Sequence, residues 1–163
     1  MKASACMLAE TQIAALRTAL AGRLTALCFG AGVDSTAMLV ALRAAGLRPD
    51  VITMANADGE RRVTVRHVDT MNLVLLSWAW PPITMCKKVP LASSGYTDLY
   101  DNCWSNETLP SLAFGMSSCS LKWKAGPQDL YLKGAKRGPQ AKPPHPLWLA
   151  AQAGGERIVK LIG

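Results

Sequence analysis

The chain has 163 residues, of which 50% are hydrophobic and 18% charged, and it carries a net charge of +7. That length predicts one domain, and that balance excludes a wholly disordered polymer, which combines low hydrophobicity with high charge. No apolar run approaches the ~18 residues of a membrane helix: the best candidate, Leu73–Ile83, is short and broken by Pro81-Pro82, and Glu10 and Gln12 interrupt any leader-like core after Lys2. The expectation is a protein without a membrane partner, cytoplasmic in location.

Helical spacing of Ile13, Leu16 and Leu20 predicts a first helix over residues 7–22, with Gly22 as its stop. Leu24–Phe29 is a short apolar run and reads as a buried strand. Gly30–Asp34 is a turn, and Ser35 opens a second helix with Met38, Leu39 and Leu42 on one face and Gly46 as its stop. After Pro49-Asp50, Val51–Ala55 is the next strand. Asn56–Glu60 is a polar loop, and Arg61–Leu76 a third helix through Val63, His67, Met71 and Val74. Pro81-Pro82 ends that stretch, and Ile83–Cys86 is a third strand. Residues 90–110 are rich in Ser, Gly, Asn and Asp and read as a long loop. Leu121–Leu132 is helical, 134–146 a Gly/Pro/Lys linker, Pro146–Ala153 a short helix and Arg157–Ile162 a last strand. Short strands alternating with helices predict an α/β fold, a parallel twisted sheet of four to five strands flanked by helices.

The five cysteines, Cys6, Cys28, Cys86, Cys103 and Cys119, are odd in number and contain no C-x-x-C pair. A disulfide framework or a zinc site is therefore not expected. Charge is uneven: between Ser120 and His145, Lys122, Lys124, Lys133, Lys136, Arg137 and Lys142 face only Asp129, so the segment holds +5 of the +7. Such a segment suits anionic partners, nucleic acid among them, or is simply a solvated basic face.

The sharpest signal is Leu27-Cys28-Phe29-Gly30-Ala31-Gly32-Val33-Asp34-Ser35-Thr36, which runs strand, glycine turn, helix. Glycines admit close approach of a ligand to the backbone. The helix start offers unpaired N–H groups and a positive dipole end to an anion. No lysine follows, so a Walker loop is excluded, and Ser35 stands where a dinucleotide fingerprint needs its third glycine. A tight turn capped by Asp34 or Ser35 is the purely structural alternative.

Gly30-Ala31-Gly32-Val33-Asp34-Ser35-Thr36 resembles the PP-loop pattern S-G-G-x-D-S-[ST] of the adenine nucleotide α-hydrolase-like superfamily. Ala55-Asn56-Ala57-Asp58-Gly59-Glu60 stands where the phosphoadenosine phosphosulfate (PAPS) reductase family, phage members included, has a D-T-G-x-E-like motif. Ser118-Cys119-Ser120-Leu121-Lys122-Trp123-Lys124, with Pro127, is similar to its C-[ST]-x-x-[FYW]-K-x-x-P segment, and Arg157–Gly163 to a later strand ending in I-G. The departures are Gly30 for the motif's serine, Ala31 for its glycine, Asn56 for its acid, and no cysteine after Cys119. The chain reaches Gly163 where the family continues, so a single PP-loop domain without the family's C-terminal tail is expected.

The resemblance implies ATP or PAPS as substrate, with phosphates cradled by Gly30, Ala31, Gly32, Ser35 and Thr36 and the nucleoside side lined by Asp58. It implies Mg²⁺ and the loop oriented by Asp34, and Cys119 at a family cysteine position; Lys122 and Lys124, beside Cys119 and a helix start, suit a second anion site for a phosphate or sulfate or else form a solvated face. The reaction implied is α–β phosphate cleavage with adenylation, or sulfonucleotide reduction, and the missing late cysteine sets the expectation that this chain alone does not reduce PAPS. The alternative is a nucleotide- or nucleic-acid-binding module without turnover, which Gly30 favours. His67 and His145 lack metal-ligand spacing and have no expected catalytic role, and the five tryptophans are read as core and rim packing, with Trp104 the one candidate to stack on a base.

Overall fold

The computed structural model describes residues 9–108 and 120–162. Within them the order is α1 (Glu10–Leu20), β1 (Thr25–Cys28), α2 (Val33–Ala44), β2 (Val51–Asn56), α3 (Arg62–Ser77), β3 (Ile83–Lys87), α4 (Leu99–Ser105), α5 (Gly126–Lys133), α6 (Pro146–Ala153) and β4 (Val159–Ile162). The four strands form one all-parallel sheet in the order β3-β2-β1-β4. This is the α/β architecture that the alternation of short apolar runs and helices predicts, flanked by six helices among the described residues.

Side chains alternate across a strand, so neighbouring residues serve opposite cores. Leu27 and Phe29 from the β1 segment, with Ile52 and Met54 from β2, meet Leu39 and Leu42 of α2 and Val68, Met71 and Leu75 of α3. Ala26 and Val51 face the other way, onto Leu132 of α5, with Tyr131, Leu147 and Ile158 packed around them. Val51–Ala55 is buried throughout, the pattern of a central parallel strand covered on both faces. At the amino edge the Asp50 carboxylate accepts the Thr25 N–H at 2.7 Å and its hydroxyl at 3.1 Å, fixing β1 against the turn before β2. Arg17 of α1 donates to the Ala45 carbonyl at 2.9 Å, placing a cation on the carboxyl end of α2. That end closes as a Schellman turn: Gly46 at φ 69° donates to Arg43, and Leu47 donates to Leu42.

Two stretches differ from the sequence-based expectation. The loop expected over 90–110 contains a 3₁₀ turn at Ala92–Ser94 and the helix α4, which is capped by Asp98 accepting the Asp101 N–H at 2.8 Å. Seven residues are too few for a helical period to register in sequence. The helix expected from Leu121 becomes regular only at Gly126; Ser120–Ala125 is a wider π turn. Pro127 has no N–H to give to the preceding turn, and its ring opposes a regular ladder there. The expected linker 134–146 closes on itself, with Ala135 and Lys142 exchanging both amide bonds at 2.9 Å. No helix among the described residues is long and apolar enough to cross a membrane.

Leu39 is fully buried behind the glycine turn, whereas Leu76 on α3 is 75% exposed. Leu39→Ala is expected to lower unfolding free energy by about 2–5 kcal/mol, and Leu76→Ala to stay within about 0.5 kcal/mol of wild type. Urea denaturation of the two variants checks this.

Candidate functional site

From β1 the chain passes to β2 and β3 on one side, and β4 returns to pair with β1 on the other. The boundary between β1 and β4 is therefore the switch point of the sheet, where open α/β folds form a crevice beyond the carboxyl ends of the strands. A cavity of about 350 Å³ lies there. Cys28, Phe29 and Gly30 from the end of β1, Ala55 from β2 and Lys160 and Ile162 from β4 form its floor, and Lys124 and Gln128 its far wall.

Gly30 opens the turn on the rim of this cavity. Ala31 follows in the left-handed region at φ 55°, a conformation that favours glycine. Gly32 is the N-cap of α2, in extended geometry and with no side chain to cap the helix. The first intrahelical bond is Thr36 N–H to the Gly32 carbonyl at 3.1 Å, so the amides of Val33, Asp34 and Ser35 precede any intrahelical acceptor. Neither loop glycine is demanded by internal packing. A Cβ on Gly30 would find only Ser35 Oγ, at 3.8 Å, and one on Gly32 nothing within 4 Å. The space that side chains would fill is left open above a helix start, the environment that attracts an anion.

Ser35 and Thr36 both turn their hydroxyls to the Gly32 carbonyl, at 3.2 and 2.8 Å. Ser35 is buried. Thr36 Oγ1 also lies 3.0 Å from His67 Nε2 of α3. Asp34 is exposed in the first turn of α2, where its charge complements the helix dipole. No group of three His, Cys, Asp or Glu side chains able to hold a metal occurs among the described residues. The donor set at Asp34 therefore does not form a metal centre of its own among the described residues.

The remaining sequence candidates separate. Lys124 reaches the cavity, 3.9 Å from Glu60, which also lines it. Lys122 leaves in another direction, over the Tyr96 ring at 4.7 Å and 3.3 Å from Asn102 Oδ1. The π turn sends the two ammonium groups apart, so they do not converge on one anion as an extended stretch or a helix start at Ser120–Lys124 would allow, and Trp123 packs inward. Asp58 pairs with Lys87 at 2.5 Å and is not a cavity residue; Glu60 holds that position instead. Cys119 lies outside the described residues. The basic segment is also partitioned: Lys133 pairs with Asp129 at 2.9 Å, and Lys142 lies over the Tyr131 ring at 4.6 Å. Trp104 is 75% exposed and stacks on Tyr100 of the same helix.

Residues that sequence reasoning did not select are Lys160, Gln128 and His67. Lys160 pairs with Asp129 on the cavity floor. Its only sequence signal is a charge inside a strand. His67 is half-buried on α3, one turn before the buried Met71 and one turn after the exposed Val63, and a polar residue at apolar helical spacing was the available signal.

Cys28 is half-buried in the cavity, and burial pushes its thiol up, with Lys160 and the Thr53 hydrogen bond pulling the other way. Burial likewise takes Cys86 to about 11. Both are thiols at neutral pH and poor nucleophiles. Searches against protein-family models, curated proteins and solved structures give no match to this chain. Iodoacetamide at pH 8 is expected to alkylate both more slowly than free cysteine, and Cys86 by at least about tenfold, because the reactive thiolate is correspondingly scarce. Peptide mass spectrometry over time reads this directly.

Proposed function

We propose that this protein binds an adenine nucleotide, ATP or a sulfonucleotide such as PAPS, with its phosphates over Gly30–Thr36 and its nucleoside in the switch-point cavity. The observation that carries the reading is the junction itself. The turn that opens an uncapped helix start, with open space above Gly30 and Gly32, borders at Gly30 a cavity that holds two lysines and one glutamate, and at Gly32 and Val33 a second cleft. The phosphates would receive the free amides of the first turn of α2. Lys124 and Lys160 would supply charge from the opposite wall, and Gln128, which is buried, a directional polar contact. The resemblance of residues 30–36 to a PP-loop names the nucleotide class.

If turnover occurs, the reaction of this class is cleavage between the α and β phosphates with transfer of the adenylate. The loop's part would be to hold the departing pyrophosphate. Binding without turnover is the second reading. It is favoured by Gly30, which brings no hydroxyl to the phosphates, and by a cavity thiol that stays protonated.

Gly32→Val tests the binding reading cleanly, because the added side chain meets no protein atom near its Cβ and the backbone at φ −90° accepts it. Calorimetry with ATP is expected to show at least about tenfold weaker binding for the variant, a difference of about 1.4 kcal/mol. Equal affinity would remove the loop from the site. Pyrophosphate release in the wild-type protein, measured on the same preparation, separates turnover from binding alone.

A further inference from the structure

The glycine turn has a second side. Opposite the switch-point cavity, a cleft of about 550 Å³ runs between the start of α2 and the first turns of α3. Ala31, Gly32 and Val33 form its edge, and Thr36 and His67 are its polar centre. The Thr36 hydroxyl has one proton, which goes to the Gly32 carbonyl at 2.8 Å. Its oxygen then faces His67 Nε2 at 3.0 Å as an acceptor, so the ring presents Nε2–H to it. The ring is steadied from beneath by Phe29 of the β1 segment, with centroids 6.2 Å apart.

Among the described residues, no other charged or titratable group borders this cleft. From α2 it receives Thr36, Ala37 and Val40, and from α3 Val63 and Thr64 besides His67. Asp34 lies two residues from Thr36, about 200° around α2. Arg66 and Asp69, the charged residues flanking His67 on α3, are both exposed. None of the ion pairs among the described residues involves His67. An imidazolium here would have no counter-ion among them, and an anion seated on the turn would supply one.

We propose that His67 is a positioning residue of the anion turn, holding the Thr36 hydroxyl through Nε2 and coupling phosphate binding to uptake of one proton. The inference rests on the nucleotide reading above. A phosphate at the turn favours the charged ring, because an opposite charge within reach stabilises it. By linkage the charged ring favours the phosphate. Affinity contributed by His67 is therefore present where the ring is charged and lost where it is neutral. Neutral His67 still donates Nε2–H to Thr36, so its geometric role persists at alkaline pH.

The test is ATP affinity by calorimetry for wild type, His67→Gln and His67→Ala at pH 5.5 and pH 8. Glutamine keeps an N–H for Thr36 and never charges, and alanine removes both. Taking the ratio of wild type to His67→Gln at each pH cancels titration of the nucleotide itself. The expected ratio is about tenfold at pH 5.5, equivalent to about 1.4 kcal/mol, falling to about one at pH 8. His67→Ala is expected to bind more weakly than His67→Gln at both. A ratio that does not change with pH, with ATP still bound, overturns this inference and leaves the nucleotide reading standing. Equal binding by the Gln and Ala variants overturns the positioning role. Failure of wild type to bind ATP at either pH overturns the nucleotide reading and this inference together.

Discussion

The position of β1 between β2 and β4 decides the rest of the molecule. Both of its edges are paired in parallel, so the chain leaving Cys28 must turn at the carboxyl edge of the sheet and cannot continue as strand. The turn starts α2 over the sheet face that Leu27 and Phe29 occupy, and α2 stays there because Leu39 and Leu42 are buried against them. Hydrophobic burial on that face fixes where the helix axis points. The direction of the axis in turn fixes where the unpaired amides of Val33–Ser35 aim. The anion-attracting end of the helix is thus set by packing some distance behind it.

The opposite face supplies the second half of the site by similar means. Ala26 and Val51 bury Leu132, which seats α5 against the sheet, and the π turn before α5 carries Trp123 inward. Gly126 permits the join, since a Cβ there would come to 3.0 Å from the Leu121 carbonyl. The wider turn rotates Lys124 toward β1 and β4 and Lys122 toward Tyr96. Charge in the 120–145 segment is consequently divided among separate partners. Asp129 alone meets both Lys133 and Lys160. What reaches the cavity is a small, mixed set of charges, Lys124, Lys160 and Glu60.

Much of the fold was legible from local pattern. The runs at 24–29 and 51–55 became β1 and β2, central strands that must be mostly apolar, and the run at 83–86 became the half-exposed edge strand β3. Gly46 was legible as a helix stop because a left-handed residue there is cheapest as glycine. The turn at 30–36 was legible as a strand–turn–helix junction for the same reasons. α4 was hidden by its shortness, and the π turn by Pro127, whose effect falls on the residues before it. His67 was read as a helix residue without metal-ligand spacing or catalytic role, since its partner Thr36 is 31 positions away.

The sequence alone determined the strands, the helices other than α4, their α/β alternation and the glycine turn, because each depends on side-chain periodicity or backbone freedom over a short stretch of chain. Tertiary structure decided which charges share a site. Lys122, Lys124 and Asp58 lie near one another or near the motifs in sequence, yet only Lys124 borders the cavity, joined by Glu60, Gln128 and Lys160. That selection depends on strand order, which places β4 beside β1, and on the pitch of one turn, which divides two lysines two positions apart. The strand order is a property of long-range packing, where burial of distant apolar faces outweighs local preference, and the turn is an effect of Pro127 on the residues before it.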